Sequence, residues 1–180
     1  AEAMQMACDV EDGTMAAILG LDDEKVVEIC RQTQGVVVAA NFNCPGQLVI
    51  SGSVNAVKSA CENMRESGAK RAILLPVGGA FHSPLMEPAR VELANAIENT
   101  NFTSPICPVF QNVVAEAVTD SLAIKKNLVA QLTTSVRWTQ TIEKMVAHGI
   151  KNFIEVGPGK VLQGLIKKIN QETNISSAKY

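Results

Sequence analysis

The spacing of apolar and polar positions changes character near residue 78. Before it, short apolar runs alternate with amphipathic stretches. Met15-Ala-Ala-Ile-Leu-Gly20 predicts a strand. Asp22 and Asp23 offer capping oxygens to a helix whose apolar stripe is Val26, Val27 and Cys30. Val36-Val-Val-Ala-Ala40 predicts a second strand, Asn43-Cys-Pro-Gly46 a turn, and Gln47-Leu-Val-Ile50 a third strand. Ser53 starts a helix through Val57, Ala60, Cys61 and Met64 that stops at Gly68. Ala69 to Val77 predicts a fourth strand. The order β-α-β-β-α-β is the ferredoxin-like arrangement of a small open-faced sheet.

After residue 78 the pattern lengthens. Pro84 to Glu98 predicts one helix with Pro88 in its first turns and Val91, Leu93, Ala94 and Ile97 as apolar positions. Pro108-Val-Phe110 and Asn112-Val-Val114 fit a short strand ending in a turn. Ile124 to Leu132 and Thr139 to His148 predict helices. Lys151 to Val156 predicts a strand, Gly157-Pro-Gly159 a turn, and Val161 to Ile169 a helix. Strand, glycine turn and helix make a βα unit of a parallel sheet, which one unit cannot close. The strands that would flank it are expected to be lacking, and the opening Ala1-Glu2-Ala3-Met4-Gln5 reads as the middle of a helix.

Composition narrows the class. The chain has 180 residues, 47% hydrophobic and 19% charged, the balance of a soluble globular protein. A net charge of −2 gives no footprint for nucleic acid. The longest apolar run, Ala72 to Ala80, is too short to span a bilayer, and no signal-peptide pattern is present. Cys8, Cys30, Cys44, Cys61 and Cys107 are odd in number and form no C-x-x-C pair, which argues for reduced cytoplasmic thiols and against a metal site.

Chemistry concentrates at one histidine. His148 ends a helix, where a solvated histidine is ordinary. His82 follows Gly78-Gly79-Ala80-Phe81 and precedes Ser83-Pro84, at a strand-to-helix junction where α/β sites form. A histidine base needs a nucleophile, yet no serine stands in a G-x-S-x-G elbow. Cys44 sits in a turn with no activating neighbours. Gly157-Pro-Gly-Lys160 fails as a phosphate loop because Val161, not Ser or Thr, follows the lysine; its helix N-terminus retains a preference for an anion.

Gly79-Ala-Phe-His-Ser-Pro-Leu-Met86 resembles the acyltransferase family that loads malonyl groups onto acyl carrier protein. The resemblance extends through Met15–Leu21, Asn41-Phe-Asn-Cys-Pro-Gly-Gln47 (Cys44 for serine), Gly68-Ala-Lys-Arg71, Gln131-Leu-Thr-Thr-Ser-Val-Arg-Trp138 (Ser135 for proline) and Glu155–Gly159. It implies an α/β chain in which a ferredoxin-like small domain, residues 13–78, is inserted in an α/β-hydrolase-like parallel-sheet core. Residues 1–12 would end the first segment of that core and 79–180 form its C-terminal part.

The same resemblance implies the chemistry. A serine attacks the malonyl thioester, and His82 takes and returns its proton. The backbone carbonyl of Gln131 orients His82, and the amide side chain is not needed for that bond. Phe81, Asn41, Asn43 and Gln47 fall on the substrate side. Phe81 before the histidine marks malonyl-selective members, its ring filling the space of an α-methyl branch. Lys70, Arg71, Lys167 and Lys168 are candidate docking charges for the carrier. No cofactor or metal is implied, since malonyl-CoA is a substrate. The serine elbow, the oxyanion amides and the carboxylate-binding arginine are expected upstream, making that segment a required partner. An acyltransferase domain of a larger synthase is the alternative; a ferredoxin-like regulatory module would leave the Ala-Phe-His-Ser motif idle.

Overall fold

The computed structural model describes residues 2–179. Four strands, β1 (Gly13–Leu19), β2 (Val37–Cys44), β3 (Gln47–Ser53) and β4 (Arg71–Leu74), form a sheet in the order β2-β3-β1-β4. Every neighbouring pair is antiparallel. Side chains alternate between faces, and both faces are apolar. On one, Ala16, Ile18, Leu48 and Ile50 meet Val26 and Ile29 of α2 (Asp23–Gln32) and Val57, Ala60 and Met64 of α3 (Val54–Glu66). On the other, Met15, Ala40 and Val49 are covered by Leu75, Val77 and Phe81.

The local chemistry departs from expectation in four places. Asp22 and Ser53 occupy the N-cap positions of α2 and α3, but neither side chain makes a capping bond. Strand β2 runs through Asn43 to Cys44, so the turn is Pro45-Gly46 alone, with Gly46 at φ 71°. Register shifts at Ala39/Asn41 and Phe42/Cys44 absorb the extra residues. Strand β4 stops at Leu74, two residues before Pro76, which has no ladder donor, and Val77 N donates back to Leu75 O at 2.8 Å. The stop of α3 follows expectation: Gly68 has φ 100°, with Gly68 N bonded to Arg65 O and Ala69 N to Met64 O, a Schellman end.

Around this sheet lie α1 (Glu2–Val10) and the elements after residue 78. The single helix expected from Pro84 is a 3-10 turn, Pro84–Met86, followed by α4 (Glu87–Glu98). Pro88 dictates the break, because inside a continuous helix its ring would clash with the carbonyl of residue 84. Then come the hairpin β5 (Val109–Gln111) and β6 (Glu116–Val118), α5 (Ser121–Gln131), α6 (Trp138–Ala147), β7 (Asn152–Glu155), α7 (Val161–Ile169) and β8 (Asn174–Ser177). Asp120 caps α5, accepting from Ala123 N at 2.7 Å. Strand β8 pairs with β7 in parallel, so one flanking strand expected to be lacking is supplied by this chain. Among the described residues no helix is long and apolar enough to cross a membrane.

Candidate active site

The chain leaves β4, passes Leu75 to Gly78 and turns sharply at Ala80–Ser83. Close packing requires its small residues. A Cβ on Gly79 would stand 2.4 Å from Cys8 Sγ, and one on Gly13 would meet Ala80 N at 2.5 Å. Thus α1 and the start of β1 both press on this turn. Ser83, fully buried, donates from Oγ to Ala80 O at 2.6 Å and accepts from Leu85 N at 3.2 Å. That pair of bonds locks the turn and starts the 3-10 segment.

His82 lies between these anchors at φ 59°, a left-handed conformation that a non-glycine residue adopts at a cost of about 1–3 kcal/mol. Its Nδ1 lies 2.8 Å from the backbone oxygen of Gln131, at the end of α5. A carbonyl only accepts, so Nδ1 carries the hydrogen and Nε2 presents a lone pair. The imidazole is therefore held in one tautomer by a neutral group, with its basic nitrogen free to take a proton. His148, by contrast, is exposed, bonds Lys144 O at 2.7 Å and stacks edge-on against Phe110.

The substrate-side candidates spread along the sheet, from Phe81 and Asn41 beside Val49 to Gln47 opposite Leu19 at the far end. Asn41 pairs across the ladder with Val49, and Val49 lies in the cluster that Phe81 covers. Asn41 Oδ1 is buried and accepts no hydrogen bond among the described residues. Gln47 opens β3 two residues before Val49, and Asn43, half-buried, follows in β2. Phe81 is also half-buried and packs against both Met15–Ala40–Val49 and Ala7–Met86–Ala89, so it joins the sheet to α1 and α4.

The docking candidates lie elsewhere. Arg71 and Gln47 both pair with Leu19, Lys70 lies over Gly20, and Lys168 donates to Gln47 Oε1 at 3.2 Å. Lys70, Arg71 and Lys168 thus gather at one end of the sheet. Ala80 abuts Gly13 at the other end, about 20 Å away along β1 at ~3.3 Å per residue. Lys70 and Arg71 stand at the start of β4, the strand that leads toward the histidine, so they flank that path from its far end. Lys167 is committed to Gln171 O and Thr173 O and closes the connection from α7 to β8.

Two other candidates are settled by their partners. Cys44 is buried, its Sγ donates to Gln47 Oε1 at 3.7 Å, and burial pushes its thiol above the usual range although Lys168 pulls the other way. It is no nucleophile. The N-terminus of α7 has already found its anion: Glu155 accepts from Leu162 N at 3.1 Å and Gln163 N at 3.4 Å. Ser83 and Ser135 border the candidate site through hydrogen bonds to Ala80 O and Ala39 O, and sequence reasoning gave neither a role. Ser83 had a signal, a serine directly before Pro84 at a helix start.

A mixed α/β fold presenting a carbonyl-held histidine beside an apolar, asparagine-bearing part of the sheet is an arrangement suited to proton transfer. Residues 3–180 match the model of the acyl transferase domain, and the chain belongs to that family. It is 44% identical to the malonyl CoA-acyl carrier protein transacylase of Bacillus subtilis over 173 residues, covering 94% of this chain and 55% of that protein. Against the Haemophilus influenzae protein of the same name, identity is 46% over 168 residues, covering 92% and 54%. The crystal structure of an acyl carrier protein S-malonyltransferase from Vibrio cholerae superposes with a TM-score of 0.95 at 44% identity, covering 99% of this chain and 59% of that one. A malonyl-transacylase solved in complex with a type II PKS acyl-carrier protein gives 0.92 at 40% identity, covering 98% and 57%. The chain spans little more than half the length of these relatives.

Proposed function

We propose that this chain supplies the general-base half of a malonyl-CoA:acyl carrier protein transacylase acting in fatty acid biosynthesis. The observation that carries the reading is the bond from His82 Nδ1–H to Gln131 O, 2.8 Å, which leaves Nε2 as the acceptor. In the proposed reaction a serine hydroxyl attacks the malonyl thioester carbonyl and its proton passes to His82 Nε2. The carbon–sulfur bond breaks, and coenzyme A leaves as the thiol with that proton. The carrier's phosphopantetheine thiol then attacks the malonyl-serine ester by the same route reversed. No cofactor takes part.

The nucleophile in this reading comes from outside residues 1–180, as do the oxyanion donors and the arginine for the malonate carboxylate. Two facts support that: the chain contains no G-x-S-x-G elbow, and it covers 55% of the Bacillus subtilis relative. The exposed Ile154, Val156 and Val161 around the parallel pair β7–β8 are where such a segment would pack. Residues 13–78 are then a ferredoxin-like small domain set into an α/β-hydrolase-like core. Residues 1–12 end the first segment of that core, and 79–180 are its C-terminal part. The antiparallel order β2-β3-β1-β4 supports the first assignment.

Asn41, with its buried unpartnered oxygen, would line the thioester's path; Asn43 and Gln47 lie farther along β2 and β3, toward the Leu19 end that carries Lys168. Phe81 would fill the space beside the acyl group. Lys70, Arg71, Lys167 and Lys168 would meet the carrier, away from the histidine. The reading is tested by incubating the natural protein that carries this sequence with malonyl-CoA and holo acyl carrier protein and weighing the carrier. A malonyl-carrier product is expected, with methylmalonyl-CoA used about ten- to two-hundredfold less well and that ratio relaxed by Phe81→Ser. No acylated carrier would refute the transacylase reading; an unchanged ratio would assign Phe81 to packing.

A further inference from the structure

The segment joining α5 to α6 is held at both ends by hydrogen bonds that meet in one residue. Gln131 offers its backbone oxygen to His82 Nδ1 at 2.8 Å. Its side-chain Nε2 donates to Thr134 O at 3.0 Å and to Ser135 O at 3.3 Å. Ser135 Oγ in turn donates to Ala39 O at 2.6 Å, and Val136 N donates to Ala40 O at 2.7 Å. Strand β2 is the sheet's edge, so its outward carbonyls need partners, and residues 135–136 provide them. A continuous path thus runs from β2 through the Ser135 hydroxyl and the Gln131 carboxamide to the carbonyl that faces His82.

We propose that the Gln131 carboxamide and the Ser135 hydroxyl are positioning groups that brace the 131–135 turn against β2 and thereby hold His82 as its Nδ1–H tautomer. The proposal rests on the reading of His82 as the base. An α-helix C-terminus has free carbonyls and frays readily. The carbonyl of residue 131 is one of these, so its direction depends on what fixes the turn after it. The carboxamide fixes the turn internally, and Ser135 fixes it to the sheet. Serine stands here where the family resemblance places proline, so a hydrogen bond takes the place of a ring constraint. The brace also links the histidine to the strand that carries Asn41, two residues from Ala39, so displacement of β2 is felt at the imidazole.

Thr139 provides the control. Its Oγ1 donates to Phe42 O at 3.0 Å, tying α6 to the same strand, but it lies beyond Ser135 and makes no bond to Gln131 or His82 among those described. The experiment uses the natural protein carrying this sequence, labelled with ¹⁵N at histidine, with His82→Asn identifying the His82 resonances. In the wild type Nδ1 should be protonated and Nε2 unprotonated at neutral imidazole. In Ser135→Ala and in Gln131→Leu the signal should move toward the mixture of tautomers of an unheld ring. Malonyl-transfer kcat should fall about tenfold with KM nearly constant, as expected for loss of orientation rather than of binding. Ser135→Thr, which keeps the hydroxyl, should restore both readouts, and Thr139→Val should lower the melting temperature while leaving the tautomer intact. A sole Nδ1–H tautomer in both Ser135→Ala and Gln131→Leu overturns the brace; if the serine variant fails to fold, the glutamine variant decides. The base reading fails separately, by wild-type transfer in His82→Ala, and the tautomer measurement still judges the brace in that case.

Discussion

Residues 13–78 and residues 79–179 solve the burial problem differently. In the first, Ile18, Leu48, Ile50, Val57 and Met64 are almost fully enclosed, and the sheet has an apolar layer on each face. In the second, the fully buried set is thin, with Ala80, Met86, Ala89 and Ile142 the main members, while Leu122, Ile154, Val156 and Val161 stand more than three-fifths exposed. The parallel pair β7–β8 is two strands wide, whereas parallel sheets are ordinarily covered on both faces. The first region is held by its own core. The second leaves apolar side chains exposed around β7–β8, and the candidate base lies where the two meet.

Core deletion should separate the regions most strongly. Ile50→Ala in residues 1–180 should cost about 2–5 kcal/mol, the range for emptying a tightly packed site. Val156→Ala should change stability by no more than about 0.5 kcal/mol. Denaturant titration of both variants checks this. Equal losses would break the comparison by showing that Val156 is covered within this chain.

The cysteines sharpen the same contrast with a smaller effect. Cys30 lies in the α2–α3 core, where burial first and the neighbouring Cys61 second push its thiol up to about 12. Its folded value lies above its ordinary one of 9.0. Below pH 9 the thiol is neutral in both states. Above it the unfolded chain loses the proton and the folded one does not, so stability should fall as pH rises toward 12. The slope is at most about 1.4 kcal/mol per pH unit. Denaturation midpoints between pH 9 and 11 should fall more steeply in wild type than in Cys30→Val. At neutral pH a thiol reagent should modify the exposed Cys107 in the native protein and leave Cys30 untouched. Parallel pH slopes, or rapid labelling of Cys30, would contradict the enclosed core.

The same division governs what the sequence revealed. All four strands and both helices of residues 13–78 were legible because the strands are short apolar runs covered on both faces and each helix buries one apolar stripe, and burial is what the pattern records. It missed β6 and β8: Glu116-Ala-Val118 is too short to alternate, and Asn174-Ile-Ser-Ser177 carries a single apolar side chain. His82 was legible from its glycine-rich approach, and its bond to the Gln131 carbonyl from family resemblance. The second role of Gln131 was not legible. A carboxamide bonding Thr134 O and Ser135 O makes contacts within one turn that leave no periodic trace. The distance of Lys70 and Arg71 from the histidine was not legible: eleven positions separate Arg71 from His82, but β4 carries the chain across the sheet, so proximity in sequence became distance in space.

The central claim is that His82 Nε2 takes the proton of an attacking hydroxyl. Rapid mixing of the natural protein with malonyl-CoA, quenched in acid and followed by intact mass, measures formation of the malonyl-enzyme directly. The account predicts a fast burst in wild type and an acylation rate lower by roughly a thousandfold or more in His82→Ala, with the fold retained. A malonyl-enzyme formed within a few-fold of the wild-type rate in that variant would contradict it.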